Sequence, residues 1–453
     1  MHAITHFATT TIQRAVICAL ISFATLPAQA ANPNAQQLAA YEITPELQRV
    51  KLLMFLAKSP EAEQVTYLLR RYPLVGPHAA NRTLFLEGLV LKARGRYTQA
   101  VKKFRAALAD DPTLTLVRTE LAETLVMLEQ DDSAMHHLRL LAADAPDEKT
   151  ASGIRSFIDQ IDERKTYTVS GYFSLAPTTN INSGSKHTTV YSQIQNANVP
   201  LTQPESGVGA AAGVNYGNSK RLGNDMILVG ALGVDVRVYE DPYFNNYGFS
   251  QSADLRYLLD KGYFGLGITA SQQLDNQSYE PSYYSYGPRI SASLQANNKN
   301  NLFASFSTEW RNYIDANSED AVAYSANANW THAWNSTMNA TLIVGIDHLD
   351  TNNKVSSYYS YTLGVALYRE LPMGITANLS GQLSKSDYEG FNQAALKTRQ
   401  DTRASASLTL TKRNLNFHGF APSATYSFVN NWSNVESFDT VSHAVDFRLT
   451  KDF

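Results

Sequence analysis

The sequence predicts an α + β membrane protein: a short N-terminal α-helical repeat domain followed by a transmembrane antiparallel β-barrel of about 14 strands. Three observations predict it. Leu and Ala recur at helical spacing between about Thr44 and Lys165, apolar and polar side chains alternate with period two from Tyr167 onward, and long and short connections alternate through that second half. The domain reading is therefore 1–30 export signal, 31–165 helical repeats and 166–453 barrel.

Residues 1–30 carry a short basic region closing at Arg14, an apolar run from Ala15 to Leu26, and the small-residue pattern Ala28-Gln29-Ala30, which reads as a secretory signal. The apolar run is about a dozen residues, short of the roughly 20 that a spanning helix needs. The sole cysteine, Cys18, lies inside this signal, so disulfides and thiol or Cys-metal chemistry are not expected of the mature chain. A net charge of −3 gives no electrostatic case for nucleic acid as a partner.

In the helical half, Leu84, Gly88, Leu91, Gly95, Tyr97, Ala100, Phe104, Ala107 and Pro112 recur about 34 residues later as Arg118, Ala122, Leu125, Glu129, Asp131, Ala134, Leu138, Leu141 and Pro146. The small and apolar positions repeat while the first and the turn positions degrade, which is the pattern of tetratricopeptide-like repeats built from two antiparallel helices. An earlier helix pair, about 45–72, is too degenerate to score as a repeat, and Ile154 to Arg164 reads as a capping helix, so two clear repeats are expected. Repeat geometry assigns Phe85, Leu89, Lys92, Thr119, Glu123 and Met127 to the concave face. That face is read as a docking groove for another protein, the alternative being a brace for the barrel's periplasmic mouth.

The second half holds about fourteen alternating segments. In the last, Val445, Phe447, Leu449 and Phe453 face lipid while Ser442, Ala444, Asp446, Arg448, Thr450 and Asp452 face inward; around 226–239, Leu228, Leu232, Val234, Val236 and Val238 face out. Tight turns are expected at Leu259 to Gly262, Asn297 to Asn301, Ala333 to Ser336, Glu370 to Gly374 and Lys412 to Asn414, with longer connections between them, as outer-membrane barrels have short periplasmic turns and longer outer loops. Tyrosines gather where strands meet loops, in Tyr239 to Tyr247, Tyr279 to Tyr286 and Tyr358 to Tyr361, as aromatic girdles against outer-membrane lipid do. Phe453 ends the last strand as an assembly signal for the barrel-assembly machinery.

No nucleotide loop, nucleophile elbow or metal-ligand spacing occurs, so neither a cofactor nor an enzymatic activity is expected. His136 and His137, adjacent on a helix, read as diverging surface residues. One constellation repeats: an acid two residues before an arginine, as Asp235/Arg237, Asp254/Arg256, Glu309/Arg311 and Asp446/Arg448. Residues two apart share a strand face, so each pair projects into the lumen, as a polar track for a passing chain or as a salt-bridge ladder that stiffens it.

The order of signal, repeats and terminal barrel of about 290 residues resembles the surface lipoprotein assembly modulator family of Gram-negative bacteria. So do Gly171-Tyr172 leading to Asn180-Ile181-Asn182, and Asp235-Val236-Arg237-Val238-Tyr239 followed by Asp241-Pro242-Tyr243-Phe244-Asn245-Asn246. The resemblance implies an outer-membrane translocon, its N-terminal domain in the periplasm, that exports client proteins such as surface lipoproteins or secreted haem- or metal-binding proteins. Export would run through the lumen or through the seam between the first and last strands. An exopolysaccharide export porin and a passive porin are the alternatives.

Overall fold

The computed structural model describes residues 45–60, 62–164, 166–192, 195–274, 281–314, 319–415 and 420–450; the expected signal and the assembly residue Phe453 lie outside them. The chain divides into two compact units, one helical and one a barrel.

The helical unit contains α1 (Pro45–Ala57), α2 (Ala62–Arg71), α3 (Ala79–Ala93), α4 (Tyr97–Asp110), α5 (Thr115–Met127), α6 (Asp131–Ala143) and α7 (Glu148–Arg164). No helix among the described residues is long and apolar enough to cross a membrane. The two repeats expected from the sequence are α3–α4 and α5–α6, and the period is visible atom by atom. Gly88 in α3 has no room for a side chain, because a Cβ there would sit 2.4 Å from the Phe104 ring of α4. In the second copy the pair becomes Ala122 and Leu138, the smaller partner leaving space for a methyl, and both are buried with Met135, Leu141, Phe157 and Ile161. Helix α7 thus closes the stack, as a capping helix does.

The turn position shows the same economy of geometry. Gly95 (φ 71) ends α3 in the left-handed conformation, and Arg96 N–H donates to the Leu91 carbonyl at 2.9 Å. Glu129, its counterpart, keeps that conformation (φ 57), and Gln130 N–H donates to Leu125 at 3.0 Å. Glycine was lost there and the turn was not.

The barrel unit runs β1 (Tyr167–Thr178), β2 (Thr189–Ser192), β3 (Ala197–Pro200), β4 (Gly207–Arg221), β5 (Met226–Val238), β6 (Asn246–Leu259), β7 (Gly262–Leu274), β8 (Pro281–Asn297), β9 (Asn300–Tyr313), β10 (Ala321–Asn335), β11 (Met338–Thr351), β12 (Tyr358–Leu371), β13 (Ile375–Asn392), β14 (Lys397–Lys412), β15 (Ala421–Ser433) and β16 (Thr440–Thr450). Fourteen of these close into an antiparallel barrel in which β1 pairs with both β4 and β16, while β2 and β3 form a separate hairpin in the first long loop. Closure removes every sheet edge, the condition for placing strands in hydrocarbon.

Period-two alternation becomes two walls. Outward, Leu228, Leu232, Val234, Phe447 and Leu449 are exposed, as are Tyr284, Tyr286, Tyr359 and Tyr361 toward the long-loop end and Tyr257, Trp330 and Trp334 toward the turn end. Inward, the register sets Asp235 beside Gly213 and Arg448 beside Ser174. Four turns fall where the sequence places them; the β14–β15 connection is longer than expected, because β15 begins only at Ala421.

Candidate functional site

On the helical face, the six residues expected to form an open groove separate into three pairs. Phe85 and Leu89 are buried, 5% and 2% exposed, and do not belong to an accessible surface. Phe85 packs on Phe104 with ring centroids 6.1 Å apart, and α3 is also covered by α1 and α2, the helix pair too degenerate to score from sequence. Thr119 and Met127 are half-buried.

Lys92 and Glu123 do come together, in a four-membered ion cluster. Lys92 Nζ lies 2.7 Å from Glu120 and 2.5 Å from Glu123, and Lys58 Nζ lies 2.6 Å from the other oxygen of Glu120. Burial would lower the Lys92 pKa, but attraction to Glu120 and Glu123 outweighs it and holds the ammonium above its ordinary value. Burial likewise opposes ionisation of Glu120, yet Lys92 and Lys58 hold it below the usual carboxylate range. Glu123 is pushed up, by burial and by repulsion from Glu120, which attraction to Lys92 and, more weakly, to Lys58 does not offset. Sequence reasoning missed Lys58 and Glu120, although one signal was present: Lys58 stands one 34-residue period before Lys92.

His137 corrects a second expectation. It is 9% exposed rather than a surface residue, with Nδ1 3.3 Å from Nη1 of Arg118, itself fully buried. Degradation of the first repeat position from Leu84 to Arg118 thus put a guanidinium into the core and a histidine beside it. Among the described residues no cluster of His, Cys, Asp and Glu is arranged to hold a metal.

In the lumen, two of the four acid-x-Arg pairs form as written. Glu309 and Arg311 meet at 3.0 Å, with Ser285 Oγ donating to Glu309 at 2.7 Å, and Asp446 and Arg448 meet at 3.2 Å. The acids of the other two find partners two strands away. Asp254 pairs with Arg289, whose Nε is 3.3 Å away, and Arg256 instead lies 4.6 Å from the centre of the Tyr263 ring. Asp235 accepts from the Tyr172 hydroxyl, and Arg448 stands 4.2 Å over the same ring, while Arg237 stays near this group on β5. The reason is strand geometry: the strand between carries a glycine in each case, Gly267 between Asp254 and Arg289 and Gly213 between Tyr172 and Asp235, so side chains two strands apart meet over the gap. Gly213 makes the Tyr172 contact possible, since a Cβ there would meet the ring at 2.4 Å.

The remaining wall, β10 to β15, carries hydroxyl rungs between its charges, among them Asp347, which accepts from Ser325 Oγ, and Glu370, which pairs with Arg413. Hydroxyls pair across it at Ser380 and Ser407 (2.7 Å), Thr409 and Thr425 (2.8 Å), and Thr331 and Thr341 (2.8 Å). At its long-loop end Arg399 binds Asp401 and lies 3.5 Å from the Phe438 ring centre and 4.3 Å from that of Tyr388. Neither cluster was foreseen.

The seam between β1 and β16 carries a clasp. Beyond the strands, Asn180 Nδ2 donates to the carbonyls of Gly184 (2.9 Å) and Val441 (3.0 Å), and its Oδ1 accepts from Gly184 N–H (2.7 Å). Ser185 Oγ donates to the Glu436 carbonyl at 2.6 Å, and Lys186 and His187 reach Asp439 at 2.6 and 2.7 Å. The Asn180-Ile181-Asn182 string is therefore a structural fastening of the first long loop to the last.

Comparison with known proteins decides the family. The profile described as surface lipoprotein assembly modifier matches residues 167–453, and that of the same family's N-terminal tetratricopeptide repeats matches residues 36–138. The chain belongs to the surface lipoprotein assembly modifier family. Its barrel is of the outer-membrane type, with an apolar outer wall and a polar lumen. Sequence comparison with curated proteins returned no match. Among solved structures, an outer-membrane channel of Acinetobacter baumannii, DcaP, is 9% identical over 63% of this chain and 96% of its own, with a TM-score of 0.37. Wzi of Escherichia coli, a carbohydrate-binding barrel involved in group 1 capsule assembly, is 10% identical over 72% and 92%, with a TM-score of 0.33.

Proposed function

We propose that this protein moves client lipoproteins from the periplasm to the cell surface. The observation that carries the reading is the match of the whole barrel, residues 167–453, to a family described by surface lipoprotein assembly. The architecture agrees with it: a repeat domain offers a protein-binding surface, and a closed barrel with a polar interior offers a route that a polypeptide can take without meeting hydrocarbon. In this reading the helices lie in the periplasm and engage the client or a chaperone through the half-buried surface around Thr119, Glu123 and Met127. The Lys92–Glu123 pair lies at that surface, and the lumen charges guide the chain outward.

The test is deletion of the gene, with palmitate labelling of lipoproteins and digestion of intact cells by external protease. Labelled proteins that become protease-resistant on deletion, and accessible again on restoring the gene, name the clients. An unchanged pattern of accessible labelled proteins would sink the proposal.

A further inference from the structure

We propose that the β1–β16 seam is the lateral exit by which an acyl-bearing client leaves the lumen for the outer leaflet, and that the Asn180–Ser185 clasp is its catch; this rests on the export reading above. A lipoprotein has two parts that need different surroundings. Its polypeptide is at home in a polar lumen and its acyl chains in hydrocarbon, each methylene adding to that preference, so the two can travel together only where the wall between them parts.

Three observations single out this junction. First, it joins the first and last strands of the barrel, so no hairpin or loop ties one directly to the other and they part without straining a turn. Second, its hydrogen-bond ladder is broken. Thr179 N–H donates to the His443 carbonyl at 2.9 Å, so odd-numbered residues of β1 point their backbone groups at β16. Pro177 is one of them and has no N–H to offer opposite Val445; the recorded register accordingly passes from Leu175↔Phe447 to Thr178↔Ala444. Proline is normally confined to sheet edges, and a closed barrel has none until this seam opens. Pro288 interrupts β8–β9 similarly, but those strands remain joined by the turn after Asn297. Third, two polar atoms within the seam are buried without hydrogen-bond partners, Ser174 Oγ and Asp446 Oδ1. Opening would hydrate both, which favours the parted state.

What holds the closed state is local and replaceable: the clasp at the long-loop end and the Arg448–Tyr172 contact on the lumen side. Low stability concentrated in one junction is the signature of an element meant to move.

Cross-linking tests this directly, because the only cysteine of the sequence is Cys18. Leu175→Cys/Phe447→Cys locks the seam, and Ala292→Cys/Ala304→Cys locks β8–β9 through an opposed pair on the same outer face. Each variant is expressed in the deletion strain, folding is checked by heat-modifiable gel mobility, and palmitate-labelled proteins accessible to external protease are quantified. Oxidation is expected to lower accessible label at least about tenfold for the seam variant, with recovery on reduction, and to leave the β8–β9 variant at wild-type level. A second variant, Pro177→Val, restores the missing donor and is expected to slow surface appearance severalfold without a cross-link. Wild-type export by both the oxidised seam variant and Pro177→Val would overturn the lateral exit while leaving the export reading intact. If deletion itself changes nothing at the surface, the export reading fails first and this inference with it.

Discussion

Replacing Glu120 by Gln keeps the volume of the side chain and removes its charge. Glu120 is 3% exposed at its side chain and serves two lysines, Lys92 at 18% exposure and Lys58 at 49%. Removing one partner of a buried ion pair costs about 3–5 kcal/mol, whereas a pair reaching solvent is worth at most about 1 kcal/mol. Lys92 keeps Glu123 at 2.5 Å and Lys58 can turn to water, so the lower end, about 3 kcal/mol, is expected. For a helical unit of this size that is a fall in Tm of about 12 °C. Far-ultraviolet circular dichroism at the helix band of the intact protein in detergent measures it.

Glu123→Gln is the discriminating control, because that carboxylate is already destabilised by burial and by Glu120; its Tm should stay level or rise. The pH dependence separates them again. Glu123, with its pKa raised on folding, contributes stability that is full below the unfolded value and is lost as pH rises through the folded one. Glu120, with its pKa lowered, contributes stability that is present above the unfolded value and is lost as pH falls through the folded one. Glu123→Gln should therefore flatten the decline toward neutrality, and Glu120→Gln should remove the loss on the acid side. Equal Tm losses in the two variants would refute the assignment of Glu120 as the hub.

Glu129→Gly relieves a left-handed non-glycine turn and should stabilise the helical unit by about 1 kcal/mol, read as a Tm increase of about 4 °C by the same dichroism. Gly88→Ala drives a methyl into the Phe104 ring and should cost about 1–3 kcal/mol, whereas Ala122→Gly at the equivalent position opens space and should cost about 1 kcal/mol, both from the same melting curves. Arg289→Ala leaves Asp254, 4% exposed at its side chain, without its counter-ion in the barrel wall; a loss of about 3 kcal/mol is expected in the urea midpoint of barrel refolded into liposomes.

Strand positions and faces were legible because lipid and lumen impose opposite demands on successive residues, and Leu228, Leu232 and Val234 satisfy only one of them. The repeat pairs were legible because Gly88 and Phe104 answer each other across a helix contact that recurs as Ala122 and Leu138. Partner choice was not. Spacing shows that Asp254 and Arg256 share a face, but not that Arg289 on β8 approaches that face more favourably, since this depends on register across three strands. The burial of Phe85 and Leu89 was not legible either: repeat geometry assigns them to the concave face, and α1 and α2, whose sequence falls outside the repeat pattern, pack on the helix that carries them. The clasp at Asn180 was visible only as a string, since its partners at Glu436 and Val441 lie more than 250 residues away.

The hydroxyl rungs of the lumen have a consequence for the export reading proposed above. Serine and threonine hydroxyls, paired with one another across β10 to β15, offer an extended peptide the same kinds of donor and acceptor that water does. In that reading a chain passing a rung exchanges one hydrogen bond for another of its kind, so the rungs themselves neither trap it nor bar it. The resting points would then be set by the ion pairs, Glu309 with Arg311 on one wall and Glu370 with Arg413 on the other.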